Sequence, residues 1–305
     1  MILRERQLPG ALPASRMCKV LGLSRPSLYR TERPSPEELA VRDAIQRICA
    51  QFSDAGYRYV TKALRRRGLR VNSKRVRRLM HEDHLVGNRR GKRKGPRYVA
   101  HGLPIYPNLA KGFRPTGINQ LWIADLTYVR LRWMWIFVAV ILDAFSRRCI
   151  GWALGRHLDT VLPLSALRMA LAQRRPAAGL IHHSDRGVQY ASHEYVQLLR
   201  ERGMVVSMSR AGNPYDNAIC ERFMRTLKQE EIYARDYEDL ADAQHRIVHF
   251  IDAIYNRKRL HSAIGYNTPV EFEERSGTLS TLPTESTAAT MTTDSSLSSL
   301  TDCLT

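Results

Sequence analysis

His182-His183-Ser184-Asp185-Arg186-Gly187 closes the apolar run that opens at Gly179, and its reading decides the architecture. A short apolar run stopped by Asp-Arg-Gly predicts a buried strand over 179–184 with a carboxylate at its end. Two other carboxylates give Asp185 its meaning. Asp125 lies inside Leu121-Trp122-Ile123-Ala124-Asp125-Leu126-Thr127-Tyr128, an aromatic and β-branched run that reads as a strand. Period-2 alternation puts Ile123, Asp125 and Thr127 on one face of it. Glu221 lies 36 positions beyond Asp185, which leaves room for a helix, a strand and a turn between them. Its segment, 216–232, places Phe223, Leu227 and Ile232 at helical spacing, with Asp216 as N-cap.

Three acids from two strand ends and a helix are what a divalent-metal site requires. Mg²⁺ prefers carboxylate oxygens, and two ions about 3.5–4 Å apart can clamp the attacking and leaving oxygens of an in-line phosphoryl displacement. Glu221, Arg225 and Lys228 stand at i, i+4 and i+7, so they project on one side of the predicted helix. That face suits a polyanion lying along it. The bland alternative is a solvated helix in which Glu221 pairs with Arg225.

Further strands are predicted at 121–129, 133–142 and 147–154, joined by short turns as an antiparallel meander. A helix over 160–173, the strand at 179–184, a helix over 191–202 and a strand over 204–209 follow, and strands alternating with helices imply a parallel pair. Helices over 216–232 and 238–256 end the series. His183 shares a face with Asp185, so it could touch a phosphate, hydrogen-bond a ligand carboxylate, or be a packed core histidine. Asp143 is a rival carboxylate, though an ion pair with Arg147 or Arg148 suits it better. Asn217, one turn before Glu221, is expected to orient it or to contact DNA.

At this point the chain resembles a family. The blocks Trp122–Tyr128, Leu142-Asp143-Ala144-Phe145-Ser146-Arg147, His183–Tyr190, Asn213-Pro214-Tyr215-Asp216-Asn217, Tyr255–His261 and Asn267-Thr268-Pro269 look like the integrase-like core of bacterial insertion-sequence transposases. They are most similar to the second-frame product, OrfB, of the insertion-sequence-three family, over residues 15 to 275. The resemblance implies a ribonuclease H-like α/β fold: a mixed five-stranded sheet flanked by helices, preceded by a small all-α DNA-binding region. It also implies that Asp125, Asp185 and Glu221 are the catalytic, metal-binding triad, with two Mg²⁺ or Mn²⁺ ions, and that Lys228 is the basic residue that follows. The implied reaction is cleavage at element ends and transfer of the freed 3′-hydroxyl to another phosphodiester, with no covalent protein intermediate. The implied partners are double-stranded DNA (element ends and target), an upstream-frame OrfA protein or fusion, and further copies of the chain on DNA. A bacterial cytoplasmic, nucleoid-associated location is the corresponding expectation.

The charge distribution agrees with a nucleic-acid partner. The net charge is +19, of which residues 1–100 carry +17 from 25 Lys and Arg against 8 Asp and Glu. The longest apolar run, Trp133–Leu142, is about half of what a membrane-spanning helix needs and reads as a buried strand, so no membrane partner is expected. The five scattered cysteines form no metal spacing and no evident disulfide set, which suits a reducing compartment.

Five segments are expected. Residues 1–33 hold a short helix-turn-helix shape over 15–30. Residues 34–88 form a basic helical module in which Ile45, Ile48 and Phe52, then Val60 and Leu64, then Val76, Leu79 and Met80 line a core. Its cations Arg65, Arg66, Arg67, Lys74, Arg75, Arg77 and Arg78 lack matching acids and are expected to meet phosphates, each neutralised phosphate releasing a counterion. Residues 89–118 are a basic linker with Lys92, Arg93 and Lys94. Residues 119–275 are the catalytic core, ending in a DNA-contact loop with Asn256, Arg257, Arg259 and His261. Residues 276–305 are a tail expected to be disordered, since 15 of its last 29 residues are Ser or Thr. Two other readings of the whole are a ribonuclease H-like nuclease and a catalytically decayed DNA-binding regulator.

Overall fold

The structure is a computed structural model that describes residues 13–20, 22, 35–85, 102–210 and 217–280. The expected helix-turn-helix falls within these residues only as helix α1 (Ala14–Val20) and Gly22; Asp216, Lys92, Arg93, Lys94 and the tail from 281 lie outside them. The chain divides into two compact units. One comprises Gly102–Leu126, Val138–Ile219 and the part from Ile251 onward; the other comprises the part up to His101, Thr127–Phe137 and Cys220–Phe250.

Five strands form the sheet: β1 (Leu121–Arg130), β2 (Trp135–Asp143), β3 (Cys149–Gly155), β4 (Ile181–Ser184) and β5 (Val205–Met208), in the order β3-β2-β1-β4-β5. β1, β2 and β3 are joined by tight turns, whereas β4 pairs in parallel with β1 and with β5. This is the expected mixed sheet. β1, β2 and β3 bury their apolar residues almost continuously; Trp122, Ile136, Val138, Val140, Leu142 and Ile150 are fully enclosed. Helix α5 (Val161–Gln173) supplies the crossover to β4 and lies against β3. Gly151 makes that approach close: a Cβ there would sit 2.3 Å from the carbonyl oxygen of Ala166 and 2.9 Å from Ala170 Cβ.

Element ends differ from expectation where one side chain rearranges a turn. Asp143 is fully buried and accepts backbone N–H bonds from Asn119 (2.7 Å), Phe145 (2.9 Å) and Ser146 (3.0 Å). It therefore ties the start of β1 to the β2–β3 turn and does not pair with Arg147 or Arg148. Burial raises its carboxyl above the usual range, against the lowering effect of those backbone donors. Arg147, at φ 65°, belongs to this turn, so β3 begins only at Cys149. Arg148 pairs instead with Glu273 at 2.6 Å, as does Arg174, and Ser146 Oγ donates to the same carboxylate at 2.7 Å. Glu273 lies in α10 (Pro269–Ser280), a helix absent from the elements expected above, which carries regular structure past residue 276, the expected start of the disordered tail.

Between β4 and β5 the single helix expected over 191–202 is two, α6 (Val188–Ala191) and α7 (His193–Glu201), separated by Ser192. Ser192 breaks the run by capping the second helix, its Oγ accepting from Tyr195 N at 3.4 Å. Beneath them His182 Nε2 lies 3.0 Å from the Tyr195 hydroxyl, with both residues buried. The C-terminal helical region opens with α8 (Ala218–Glu230) and α9 (Leu240–His249), the latter continuing as a π-helical segment, Phe250–Tyr255.

In the other unit, α2 (Pro36–Gln51), α3 (Tyr57–Arg66) and α4 (Ser73–Glu82) bury Ile45, Ile48, Phe52, Val60, Leu64, Val76, Leu79 and Met80, as the helical spacing implies. Ser35 caps α2, accepting from Glu38 N at 3.1 Å, and Asn72 caps α4, accepting from Lys74 N at 2.9 Å.

Two measurements check this account. Gly151→Ala pushes a methyl group into helix backbone, so a loss of about 1–3 kcal/mol is expected in urea unfolding, the usual scale for overpacking; an unchanged midpoint would contradict the close approach. Burial, aided by neighbouring His183, pulls His182 down to about 3 from its ordinary 6.5. The unfolded chain then binds the extra proton, so this contribution to stability is present above pH 6.5 and is lost progressively as pH falls toward 3. Native protein should lose more stability between about pH 7.5 and about pH 5 than His182→Gln does. Equal losses would remove His182 as the titrating group.

Candidate active site

The parallel register builds the centre of the site. Leu121, Trp122 and Ile123 align with Ile181, His182 and His183, a constant offset of 60 positions. The same offset brings Asp125 level with Asp185, immediately past the end of β4. Adjacent strands are about 4.8 Å apart, so Asp125, midway along β1, lies beside Asp185 at the C-terminal end of β4, the end at which open α/β sheets present their ligand sites. Asp125 is half-buried and Asp185 exposed. Asp125 Oδ1 accepts from Leu126 N at 2.9 Å, and Asp185 Oδ1 from Gly187 N at 2.9 Å.

The turn after Asp185 is held on both sides. Arg186 Nε donates to Ser209 O at 2.9 Å, anchoring the turn beside the end of β5. Gly187 has an ordinary φ of −64°, so its role is space: a Cβ there would lie 2.9 Å from Asp185 Oδ1 and 3.2 Å from Gln189 Oε1. The Asp-Arg-Gly sequence thus positions one carboxylate from a backbone donor, a cross-strand anchor and a missing methylene.

His183 is the packed histidine among the readings left open by its position. It is fully buried, aligned with Ser207 on β5, and its Nδ1 lies 2.9 Å from Ser207 Oγ. Ser207 Oγ also accepts from Leu109 N at 2.9 Å, so this row ties the preceding irregular segment to the sheet. That burial favours the packed reading of His183 over a direct DNA contact. Ser207 itself had no signal in the sequence, since its partner is set only by the β4–β5 register.

Glu221 lies in the first turn of α8 and is exposed, as are Arg225 and Arg222; Lys228 is half-buried, its Nζ 4.8 Å from the Tyr128 ring centroid. Among the described residues Glu221 and Arg225 form no ion pair with each other. Asn217, just before α8, is buried.

Hard oxygen donors side by side at Asp125 and Asp185 fit a divalent cation. Among the described residues no group of three or more His, Cys, Asp or Glu is gathered as a metal site.

The expected DNA-contact residues divide sharply. Arg65, Arg66, Arg67, Lys74 and Arg77 are exposed. Arg75 and Arg78, expected to lack acids, do have them: Arg75 meets Glu37 at 3.6 Å and Glu38 at 3.4 Å, and Arg78 meets Glu82 at 3.5 Å. Arg42 binds Glu38, Glu82 and Asp83 in the same network. Arg75 takes its acids from α2, distant in sequence, whereas Arg78 takes Glu82 one turn further along α4. Asn256 likewise moves from the expected DNA loop into the fold: its Oδ1 accepts from Cys149 N at 3.0 Å and its Nδ2 donates to Cys149 O at 2.9 Å, as a neighbouring strand would. Arg257 is exposed and Arg259 half-buried.

Comparison with known proteins agrees with this reading. Residues 115–214 and 202–269 match two families each described as "Integrase core domain", and residues 36–93 match an "HTH-like domain". The chain is 37% identical to the "Transposase for insertion sequence element IS904" of Lactococcus lactis subsp. lactis (strain IL1403), covering 79% of this chain and 98% of that protein. It is 36% identical to the "Insertion element IS600 uncharacterized 31 kDa protein" of Shigella sonnei, over 85% of this chain and 98% of that one. It is 34% identical to the "Transposase InsF for insertion sequence IS3A" of Escherichia coli (strain K12), over 85% and 93%. Among solved structures, the dimeric HTLV-2 integrase catalytic core domain in complex with magnesium is similar at a TM-score of 0.40 and 16% identity, over 52% of this chain and 99% of that one.

The mixed five-stranded sheet with its flanking helices is the core of a DDE-type polynucleotidyl transferase, a class that uses divalent metal. The chain belongs to the insertion-sequence-three family of transposases; its activity is DNA transposition, and its HTH-like and integrase regions bind DNA.

Gly187→Ala should slow strand joining about 10- to 100-fold, the scale of a reacting group misplaced by an ångström, while leaving DNA affinity unchanged. Unaltered joining would show that the turn tolerates the methyl group without moving Asp185.

Proposed function

We propose that Asp125, Asp185 and Glu221 together are the catalytic carboxylates and metal ligands of this transposase. The alignment of Asp125 with Asp185 on adjacent parallel strands carries the proposal, because it sets two hard donors side by side at the ligand-binding edge of the sheet. Glu221 joins them by its match to the family motif and by its exposed place in the first turn of α8. Two Mg²⁺ or Mn²⁺ ions held there would supply Lewis-acid activation of the attacking oxygen and charge neutralisation at the leaving oxygen. The chain's own residues orient that charge: Gly187 N and Leu126 N hold the aspartates, and Arg225 and Lys228 follow Glu221 along its helix.

Under this reading, Arg65, Arg66, Arg67, Lys74 and Arg77 in the helical module, with Lys92, Arg93 and Lys94 beyond it, position element ends through their phosphates. Arg257 and Arg259 add contacts after the core, and Asn217 supports the start of the Glu221 helix. The working assembly is several copies on DNA, with an upstream-frame OrfA protein or fusion, in the bacterial nucleoid. Charge placement supports this division: residues 1–100 carry +17 of the net +19.

The deciding experiment places the gene, its flanks and its upstream frame on a plasmid beside Asp125→Asn, Asp185→Asn and Glu221→Gln versions, and amplifies joined element ends. Junctions from the native gene and none from any variant are expected. A Glu221→Gln variant that still joins ends would remove that residue from the triad. Cleavage of RNA–DNA hybrid in preference to element ends would favour a nuclease, and metal-independent binding without junctions a regulator. Replacing Arg65, Arg66 and Arg67 by Ala should lower the slope of log affinity against log salt by about 1 for each phosphate that is no longer neutralised. A slope that does not change would place the DNA elsewhere.

A further inference from the structure

Trp133 opens the run Trp133–Leu142, which the sequence reads as a buried strand, yet its first residues are among the more exposed large apolar side chains of the protein. Trp133 is 83% exposed, Trp135 51% and Tyr128 46%. The reason is topological. Leu131 N donates to Met134 O at 2.8 Å, closing a hairpin whose tip is Arg132-Trp133, so the apolar run begins outside the core and enters it only at Ile136. Alternation then sorts the strands: Val129, Leu131, Ile136 and Val138 are buried, while Tyr128, Arg130 and Trp135 face out.

The outward face is not simply apolar. Tyr128 and Trp135 pack edge to face with ring centroids 5.3 Å apart. Arg130 lies 5.9 Å from the Trp135 centroid, Arg132 5.0 Å from that of Trp133, and Lys228 of α8 4.8 Å from that of Tyr128. Every large ring of the patch therefore has a cation beside it, and none of residues 126–142 is acidic. An interface between copies of the chain would gain from apolar closure and lose from bringing three like charges together. Rings alternating with cations, with no acid among them, match the demands of a chain that carries flat bases on an anionic backbone.

We propose that Tyr128, Trp133 and Trp135, with Arg130, Arg132 and Lys228, form a stacking platform for unpaired bases of single-stranded DNA. The proposal rests on the DNA transposition reading and adds to it a site for the bases that strand cleavage leaves unpaired. The rings stack on base faces without reading sequence, and the cations follow the phosphates. Duplex DNA, whose bases are already stacked on one another, gains only from the cations.

The full-length protein tests this in fluorescence anisotropy with a labelled oligothymidylate and a labelled duplex of the same length, at fixed salt. Trp133→Ala and Trp135→Ala are each expected to weaken oligothymidylate binding about 10-fold, within the range for losing one stacked base, and to leave duplex binding within about 2-fold. Trp133→Phe should retain most of the single-strand affinity, since a smaller ring still stacks. Unchanged oligothymidylate affinity in both alanine variants overturns the proposal, as does an equal loss on both DNAs. Light scattering on the same samples covers the rival occupant: if Trp133→Ala lowers the oligomeric state and leaves single-strand affinity intact, the patch is a contact between copies. Native protein that binds neither DNA would bring down the DNA transposition reading itself, an outcome distinct from failure of the alanine variants alone.

Discussion

The pairing of β1 with β4 is the constraint on which the rest depends. These strands are separated in sequence by two antiparallel strands and a crossover helix, yet they meet in a single register with an offset of 60 positions. A slip of one residue would turn every side chain of the slipped strand to the opposite face, taking His182 from Tyr195, His183 from Ser207 and Asp185 from its place beside Asp125. Register and site are thus one decision. The fully enclosed Trp122 and the buried His182–Tyr195 hydrogen bond penalise any slip, and the aspartates are aligned as a consequence of that packing.

Around this pairing, polar side chains perform tasks usually given to backbone. Asp143 collects three N–H groups and closes the β2–β3 turn; Asn256 pairs with both backbone groups of Cys149; Ser207 joins His183 to Leu109. Each is buried, and each replaces a donor or acceptor that would otherwise be stranded at a strand end. Glu273 extends this outward, holding Arg148, Arg174 and Ser146 from α10. Residues near the motif blocks therefore divide between those that stabilise the platform and those that stand on it. Asp143 and Asn256 belong to the first group, although both lie within blocks that resemble the family's functional core.

The helical module shows the same partition among charges. Its cations are not interchangeable: Arg42, Arg75 and Arg78 bind Glu37, Glu38, Glu82 and Asp83, whereas Arg65, Arg67, Lys74 and Arg77 are exposed. Pairing three arginines internally orients α2 against α4, and the remaining cations are left toward solvent and a polyanion. The hairpin of β1 and β2 applies the principle to rings, burying Val129 and Ile136 while Trp133 and Trp135 stand outside.

Local patterns determined much of this protein. Period-2 and helical spacing identify the five strands and the three helices of the N-terminal module, because burial selects one face of each element and leaves that choice written in neighbouring residues. Asp125 within a strand and Asp185 at the end of one were legible for the same reason, and the excess of cations in the first hundred residues pointed to nucleic acid. Only tertiary structure decided the rest. Whether Arg75 is free for phosphate depends on Glu37 and Glu38 in another helix; whether His183 faces a ligand or Ser207 depends on the β4–β5 register. Whether Trp133 is core or surface depends on where the hairpin turns. The first two are settled by partners distant in the chain, and a pairing between distant segments leaves no period in either one; the third is settled by a turn that falls inside an unbroken apolar run.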